Sequence, residues 1–169
     1  MTAATESGKH FPVSWEELHR NAKALAWRLL ELGPWKGLIA VTRGGLVPAA
    51  IVARELDIRL IETACAVGYH YDGSKPQQED DTKIIKPPAQ AGDGEGWLVV
   101  DDVADTGRTA DVLRKLLPKA HFTAIYAKPL GRPLVDTFVT EVSQDTWISF
   151  PWDTELQFIQ PIATQRKPR

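Results

Sequence analysis

At 169 residues and 43% hydrophobic composition, the chain is long enough for one domain with a sizeable core and too short for two comfortable ones. A formal charge of -2 supplies no basic excess to neutralise phosphates along a duplex, which sets nucleic acid aside as a partner. The single Cys65 cannot close an internal disulfide, no charged-then-apolar leader is seen, and no apolar run nears the roughly 20 residues of a membrane span. A cytoplasmic protein without integral membrane insertion is expected, with only peripheral association at a membrane surface left open.

Residues 1–10 are small and polar and are expected to form a loose N-terminus. Ser14 can cap a helix, with Glu17 completing a Ser-x-x-Glu capping box. Leu18, Ala22, Leu25, Ala26, Leu29 and Leu30 recur at helical spacing until Gly33-Pro34 stops the run. Trp15 and Trp27 read as packing residues, against neighbouring elements or a second subunit. Gly37 to Val41 reads as a buried strand, followed by Thr42-Arg43-Gly44-Gly45 and a helix from Pro48 to Leu56. Two glycines let the backbone approach a ligand, and Arg43 offers a planar cationic fork to a phosphate or pyrophosphate. Taken locally, a tight turn with a surface arginine accounts for the same residues.

Ile58 to Val67 is the next strand candidate, with Cys65 inside it as an inert packing residue. Residues 68–96 are rich in Asp, Glu, Gln, Lys, Gly and Pro and are expected to be a long flexible loop serving as a lid. Lys75, Lys83 and Lys86 could reach an anionic ligand on closure or form a solvated face. His70 has no Cys or His partner at metal-ligand spacing.

Trp97 to Val100 reads as a buried strand with Asp101 and Asp102 at its end, and Asp105-Thr106-Gly107-Arg108-Thr109 then opens a helix from Ala110 to Leu117. The free N–H groups and partial positive charge of a helix N-terminus suit a phosphate. The acidic pair suits sugar hydroxyls or a hard cation such as magnesium. A phosphorylated sugar fits both halves. Phe122 to Ala127 is another strand, and Lys128 at its carboxyl end faces either ligand or solvent. Phe138 to Val142 alternates as a short strand, residues 145–153 are dense in aromatics and prolines, Phe158 to Ile162 is a last strand candidate, and the basic tail from 164 to 169 is expected to be loose.

Alternating strands and helices predict an α/β fold, a twisted and mainly parallel sheet flanked by helices on both faces, in one domain over 1–169 with a small C-terminal hood at 143–163. In such sheets ligands gather beyond the carboxyl ends of the strands, where Thr42 to Gly45, Asp101 to Thr109 and Lys128 would meet.

Residues 99–109, Val-Val-Asp-Asp-Val-Ala-Asp-Thr-Gly-Arg-Thr, lie between strand and helix and resemble the phosphoribosyl pyrophosphate signature of the type I phosphoribosyltransferases. Trp35-Lys36-Gly37, Arg43-Gly44-Gly45-Leu46-Val47-Pro48, Ala127-Lys128-Pro129, Gly131 to Asp136, Gln144 to Ile148 and Pro151-Trp152-Asp153 are similar, more narrowly, to the bacterial xanthine-guanine phosphoribosyltransferase family. The resemblance covers about Ser14 to Ile162. It departs mainly in the long loop and at Ser149, where enterobacterial members carry an acidic residue.

The resemblance implies magnesium as cofactor, phosphoribosyl pyrophosphate and a 6-oxopurine as substrates, and a homodimer or homotetramer. Asp101 and Asp102 would hold the ribose hydroxyls and the metal, and Thr106, Gly107, Arg108 and Thr109 would cradle the 5'-phosphate. Thr42, Arg43 and Gly44 would take the pyrophosphate, Arg43 also acting catalytically. Asp105 would be the general base near purine N7, Lys128 would donate to the 6-oxo group, and Trp147 would cover the ring. Ile148 and Asp153 lie where this family reads the purine 2-position or a second metal. The implied reaction gives guanosine or xanthosine monophosphate, with hypoxanthine as a further candidate base. Rivals are a non-catalytic regulator of the same fold that senses phosphoribosyl pyrophosphate, and an adenine or pyrimidine transferase.

Overall fold

The computed structural model describes residues 9–72 and 75–153, with 69–81 traced through the backbone alone. In chain order these form β1 (Lys9–Pro12), α1 (Trp15–Leu30), β2 (Gly37–Thr42), α2 (Leu46–Glu55), β3 (Ile61–Asp72), β4 (Lys75–Lys86), β5 (Trp97–Ala104), α3 (Arg108–Leu116), β6 (His121–Ala127), β7 (Thr137–Glu141) and β8 (Thr146–Ser149). A six-stranded sheet runs β4-β3-β2-β5-β6-β7, and β1 and β8 pair separately. Every pairing is parallel except β3 with β4. The α/β class and the mainly parallel sheet expected from the alternation of elements are present.

Helices cover both faces because β2 and β5 are apolar on both. Leu38, Ala40, Leu98 and Val100 pack into one core with α1 and α2, whereas Ile39, Val41, Trp97 and Val99 pack into another with Leu113 of α3. Side chains alternate across a strand, so a strand between two helical layers must be apolar at every position. The α1 stripe of Leu18, Ala22, Leu25, Ala26 and Leu29 is buried as its spacing predicts, whereas Leu30, at the end of the same run, is 51% exposed. Ser14 Oγ accepts the Glu17 backbone N–H at 3.1 Å, the capping half of the expected box. The Glu17 carboxylate accepts from the Tyr126 hydroxyl at 3.5 Å, tying the helix start to β6.

Two regions differ from the reading of the sequence. The 68–96 stretch is not one loop: β3 continues to Asp72 and returns as β4, forming an antiparallel hairpin. Its Asp, Gln, Lys and Pro content reads as a loop, while Ile84, opposite Ala66, packs under the α3 face. Lys9 and His10, assigned to a loose terminus, belong to β1, which pairs with β8 and carries Phe11 against the core. The hood is therefore built from both ends of the described chain. Phe158 to Ile162 and the tail lie outside the described residues.

An aromatic spine joins hood, sheet and α1. Phe11 meets Tyr126 edge-on at 5.7 Å, Tyr126 meets Phe150 at 5.9 Å, Phe150 stacks on Trp152 at 4.8 Å, and Trp152 meets Trp15 at 6.3 Å. Trp15 thus has a neighbour, whereas Trp27 is 71% exposed in the single chain. Tyr126 anchors the spine: its hydroxyl accepts from the Asn21 amide at 2.9 Å, and burial pushes its pKa up to about 12. Tyr126→Phe leaves the buried Asn21 donor unmatched and is expected to cost about 1–3 kcal/mol in urea unfolding.

Candidate active site

The chain leaves β2 towards β3 on one side and leaves β5 towards β6 on the other. Two adjacent parallel strands whose continuations diverge open a crevice beyond their carboxyl ends. A cavity of about 590 Å³ lies there, and every site residue named from the sequence, from Thr42 to Asp153, borders it.

The loop after β2 is pressed onto β5. A Cβ added at Gly44 would fall 2.0 Å from Asp102 Oδ2, and one at Gly45 would fall 2.4 Å from the Val100 carbonyl oxygen. Only glycine fits either place. The Thr42–Arg43 peptide is cis, and the Thr42 hydroxyl donates to the Ala64 carbonyl at 3.2 Å, so this side chain is engaged within the sheet.

Asp101 and Asp102 occupy the last part of β5. Asp101 Oδ1 accepts the Asp102 N–H at 2.9 Å, and Asp102 Oδ1 accepts the Val103 N–H at 2.7 Å. Burial, reinforced by the neighbouring carboxylate, holds Asp101 well above the ordinary carboxylate range. Burial also raises Asp102 to about 6, and the charge of Asp153 adds to that effect. Burial raises Asp153 too, with Arg43 pulling it back. Among the described residues no three His, Cys, Asp or Glu converge on one point, but the adjacent Asp101 and Asp102, once ionised, suit a divalent cation that completes its shell with other ligands.

Beyond the pair, Gly107 at φ 81° turns the chain into α3, and a Cβ there would meet Leu134 at 2.4 Å. The helix begins at Arg108, two residues before the start expected from sequence, so its first turn carries Arg108, Thr109 and Ala110 at the cavity wall. The turn after β6 closes on this cradle. Lys128 N–H donates to the Ala104 carbonyl at 2.9 Å, and a Cβ at Gly131 would lie 2.2 Å from that same oxygen.

This contact delivers Lys128 to Asp105. Lys128 Nζ lies 3.0 Å from Asp105 Oδ2, its side chain only 7% exposed. Gln144 Nε2 donates to Asp105 Oδ1 at 2.8 Å, and Gln144 Oε1 accepts the Leu130 N–H at 3.0 Å. The sequence carries no signal for this role of Gln144, since nothing local tells a bridging amide from a surface one.

Trp147 on β8 borders the cavity and is 43% exposed, while Ile148 and Ser149 are buried. Ser149 hydrogen-bonds His10 of β1. Of the hairpin lysines, Lys86 Nζ donates to the Thr63 carbonyl at 2.8 Å, Lys83 is exposed, and the Lys75 side chain lies outside the described residues. Gly68 and Thr82, unremarked in the sequence, also border the cavity.

Residues 14–159 match the phosphoribosyl transferase domain family model. The chain is 59% identical over 165 residues to a xanthine-guanine phosphoribosyltransferase of Nitratidesulfovibrio vulgaris, covering 98% of each chain. It is 62% identical over 152 residues to a protein of the same name from Desulfotalea psychrophila, covering 90% of this chain and 91% of that one. The crystal structure of a purine phosphoribosyltransferase from Pyrococcus horikoshii superposes with a TM-score of 0.69 at 28% identity, over 90% of this chain and 99% of that one.

Raised carboxyl values mean that the folded chain favours their protonated forms. For Asp102 the stability this lends is present below the ordinary value of 3.8 and is lost as pH rises through about 6, and for Asp101 it is likewise lost above the ordinary carboxylate range. Asp101→Asn relieves the crowding and is expected to raise the melting temperature of ligand-free protein by about 2–6 °C at about pH 8. The gain should shrink as pH falls towards the ordinary carboxylate range. Equal melting of variant and parent at alkaline pH would contradict it.

Proposed function

The chain belongs to the phosphoribosyl transferase family, and from that premise we propose that it transfers the 5-phosphoribosyl group of phosphoribosyl pyrophosphate to N9 of guanine or xanthine, with hypoxanthine also admitted. The observation that carries this reading is one cavity bordered by a helix-start cradle, an acidic pair and a buried Lys128–Asp105 contact beside an open tryptophan face. A sensor of phosphoribosyl pyrophosphate alone has no use for Lys128 and Trp147, which favours the enzyme over a regulator of the same fold.

In the transfer, the bond from purine N9 to C1 forms as the bond from C1 to the pyrophosphate oxygen breaks, and its electron pair leaves with pyrophosphate. The Thr106 to Thr109 turn holds the 5'-phosphate at the start of α3, where free N–H groups favour an anion. Asp105 takes the purine ring proton at N7. Thr42, Arg43 and Gly44 border the pyrophosphate end, and Arg43 offsets the charge that develops there. Asp153 feels the charges of Arg43 and Asp102, which favours a metal role over reading the 2-position and leaves that task to the Ile148 backbone.

Magnesium fits Asp101 and Asp102, since this ion commonly takes one or two carboxylates and completes its shell with water and substrate phosphates. When bound, it supplies further charge neutralisation on the pyrophosphate. The β3–β4 hairpin, whose base contributes Gly68 and Thr82 to the cavity wall, is suited to excluding water. We place the reaction in the cytoplasm, in an assembly of two or four copies that would cover Trp27.

Lys128 sets the base class. Its ammonium matches a 6-oxo acceptor and would face an amino group in adenine, so adenine is expected to fall about tenfold or more below guanine in kcat/KM. Pyrophosphate release with guanine, xanthine, hypoxanthine and adenine checks this; silence with all four would sink the assignment. Asp105→Asn should lower kcat by about 10²–10³-fold with phosphoribosyl pyrophosphate binding retained, measured by steady-state kinetics and titration.

A further inference from the structure

We infer that Gln144 is a positioning residue for Asp105, holding the carboxylate in place while Lys128 gives its donor to the purine. The inference rests on Asp105 being the proton acceptor. Asp105 belongs to neither helix nor strand, standing between the end of β5 at Ala104 and the Gly107 turn. Among the described residues its carboxylate meets Lys128 on Oδ2 at 3.0 Å and Gln144 on Oδ1 at 2.8 Å. A 6-oxopurine claims the first of these for its own oxygen. The hold on Oδ1 is the one that substrate does not contest.

The polarity of the bridge is fully determined. The Leu130 N–H can only donate, so it takes the Gln144 carbonyl oxygen and turns the amide nitrogen towards Asp105, which can only accept. The same nitrogen lies 3.5 Å from the Asp105 main-chain oxygen, so the residue is held at side chain and backbone. Gln144 also stands in the turn that leads into the hood, where Thr146 N–H bonds the Ser143 carbonyl at 3.1 Å and Trp147 follows. The segment that covers the purine thus carries the clamp on the base, and a misplacement of about 1 Å at such a group costs turnover steeply.

Gln144→Glu separates the two ends of the bridge. The introduced carboxyl still accepts from Leu130 but opposes Asp105 with like charge; Lys128 is the neighbouring cation. With guanine and phosphoribosyl pyrophosphate, kcat is expected to fall about 30-fold at alkaline pH. The deficit should narrow as pH falls, because a protonated carboxyl donates to Asp105 as the amide does. KM for phosphoribosyl pyrophosphate should stay within about twofold of the parent, since the cradle is untouched. Parental turnover, or a deficit that does not change with pH, would overturn the inference.

Should Gln144→Glu fail to fold, Gln144→Met keeps the volume without either hydrogen bond and decides by the same kinetics. Its expected loss is about tenfold in kcat and independent of pH, and parental turnover would overturn the inference. Asp105→Asn is measured alongside. Parental activity in that variant would remove the reading of Asp105 as base, whereas an inactive Asp105→Asn beside a fully active Gln144→Glu removes the role of Gln144 alone.

Discussion

Asp102 and Gly44 meet where β2 and β5 diverge, with no room for a methyl group between them: a Cβ on the glycine would sit 2.0 Å from the carboxylate. The parallel register of Gly37 to Ala40 against Trp97 to Val100 brings these loops together, and doubly apolar strands hold that register. Close approach of backbone to carboxylate places the Arg43 loop beside the acidic pair. A larger residue at 44 would push the two halves of the site apart. Gly131 does the same for the next boundary, pressing the Lys128 turn onto Ala104 and so onto the cradle.

These close approaches concentrate like charge. Asp101, Asp102 and Asp153 share one wall region, and burial shifts each towards protonation. Among the described residues Arg43 and backbone N–H groups offset part of this crowding, and the wall favours further cations or cationic groups. A divalent cation held here would therefore have a larger effect on this wall than on any apolar surface nearby. Such crowding beside a cavity is a familiar conflict between stability and function.

Much of this was legible in the sequence for identifiable reasons. The β5–α3 junction could be read because adjacent carboxylates, a glycine and small hydroxyl residues have few other uses between a strand and a helix. The helical stripe of α1 could be read because its period is local. The β3–β4 hairpin could not, since its Asp, Gln and Pro content mimics a loop and its pairing is not local to either strand. The pairing of β1 with β8 joins residues such as His10 and Ser149, 139 positions apart, and no local pattern reports such a contact. Gln144 escaped for a related reason: its role lies in two partners, Asp105 and Leu130, brought to it from two other elements.

The separation of β1 and β8 from the main sheet has a consequence for how such a molecule can change. The Arg43 loop, the acidic pair and the Thr106 to Thr109 turn belong to the six-stranded sheet, whereas Trp147 and Ile148 sit on a ladder of their own, fastened along its edge by Lys9 to Pro12. Substitutions at the His10–Ser149 seam can alter how Trp147 and Ile148 line the cavity without disturbing any main-sheet hydrogen bond. The Trp147 and Ile148 wall of the cavity can thus drift on its own so long as Gln144 keeps its bridge to Asp105.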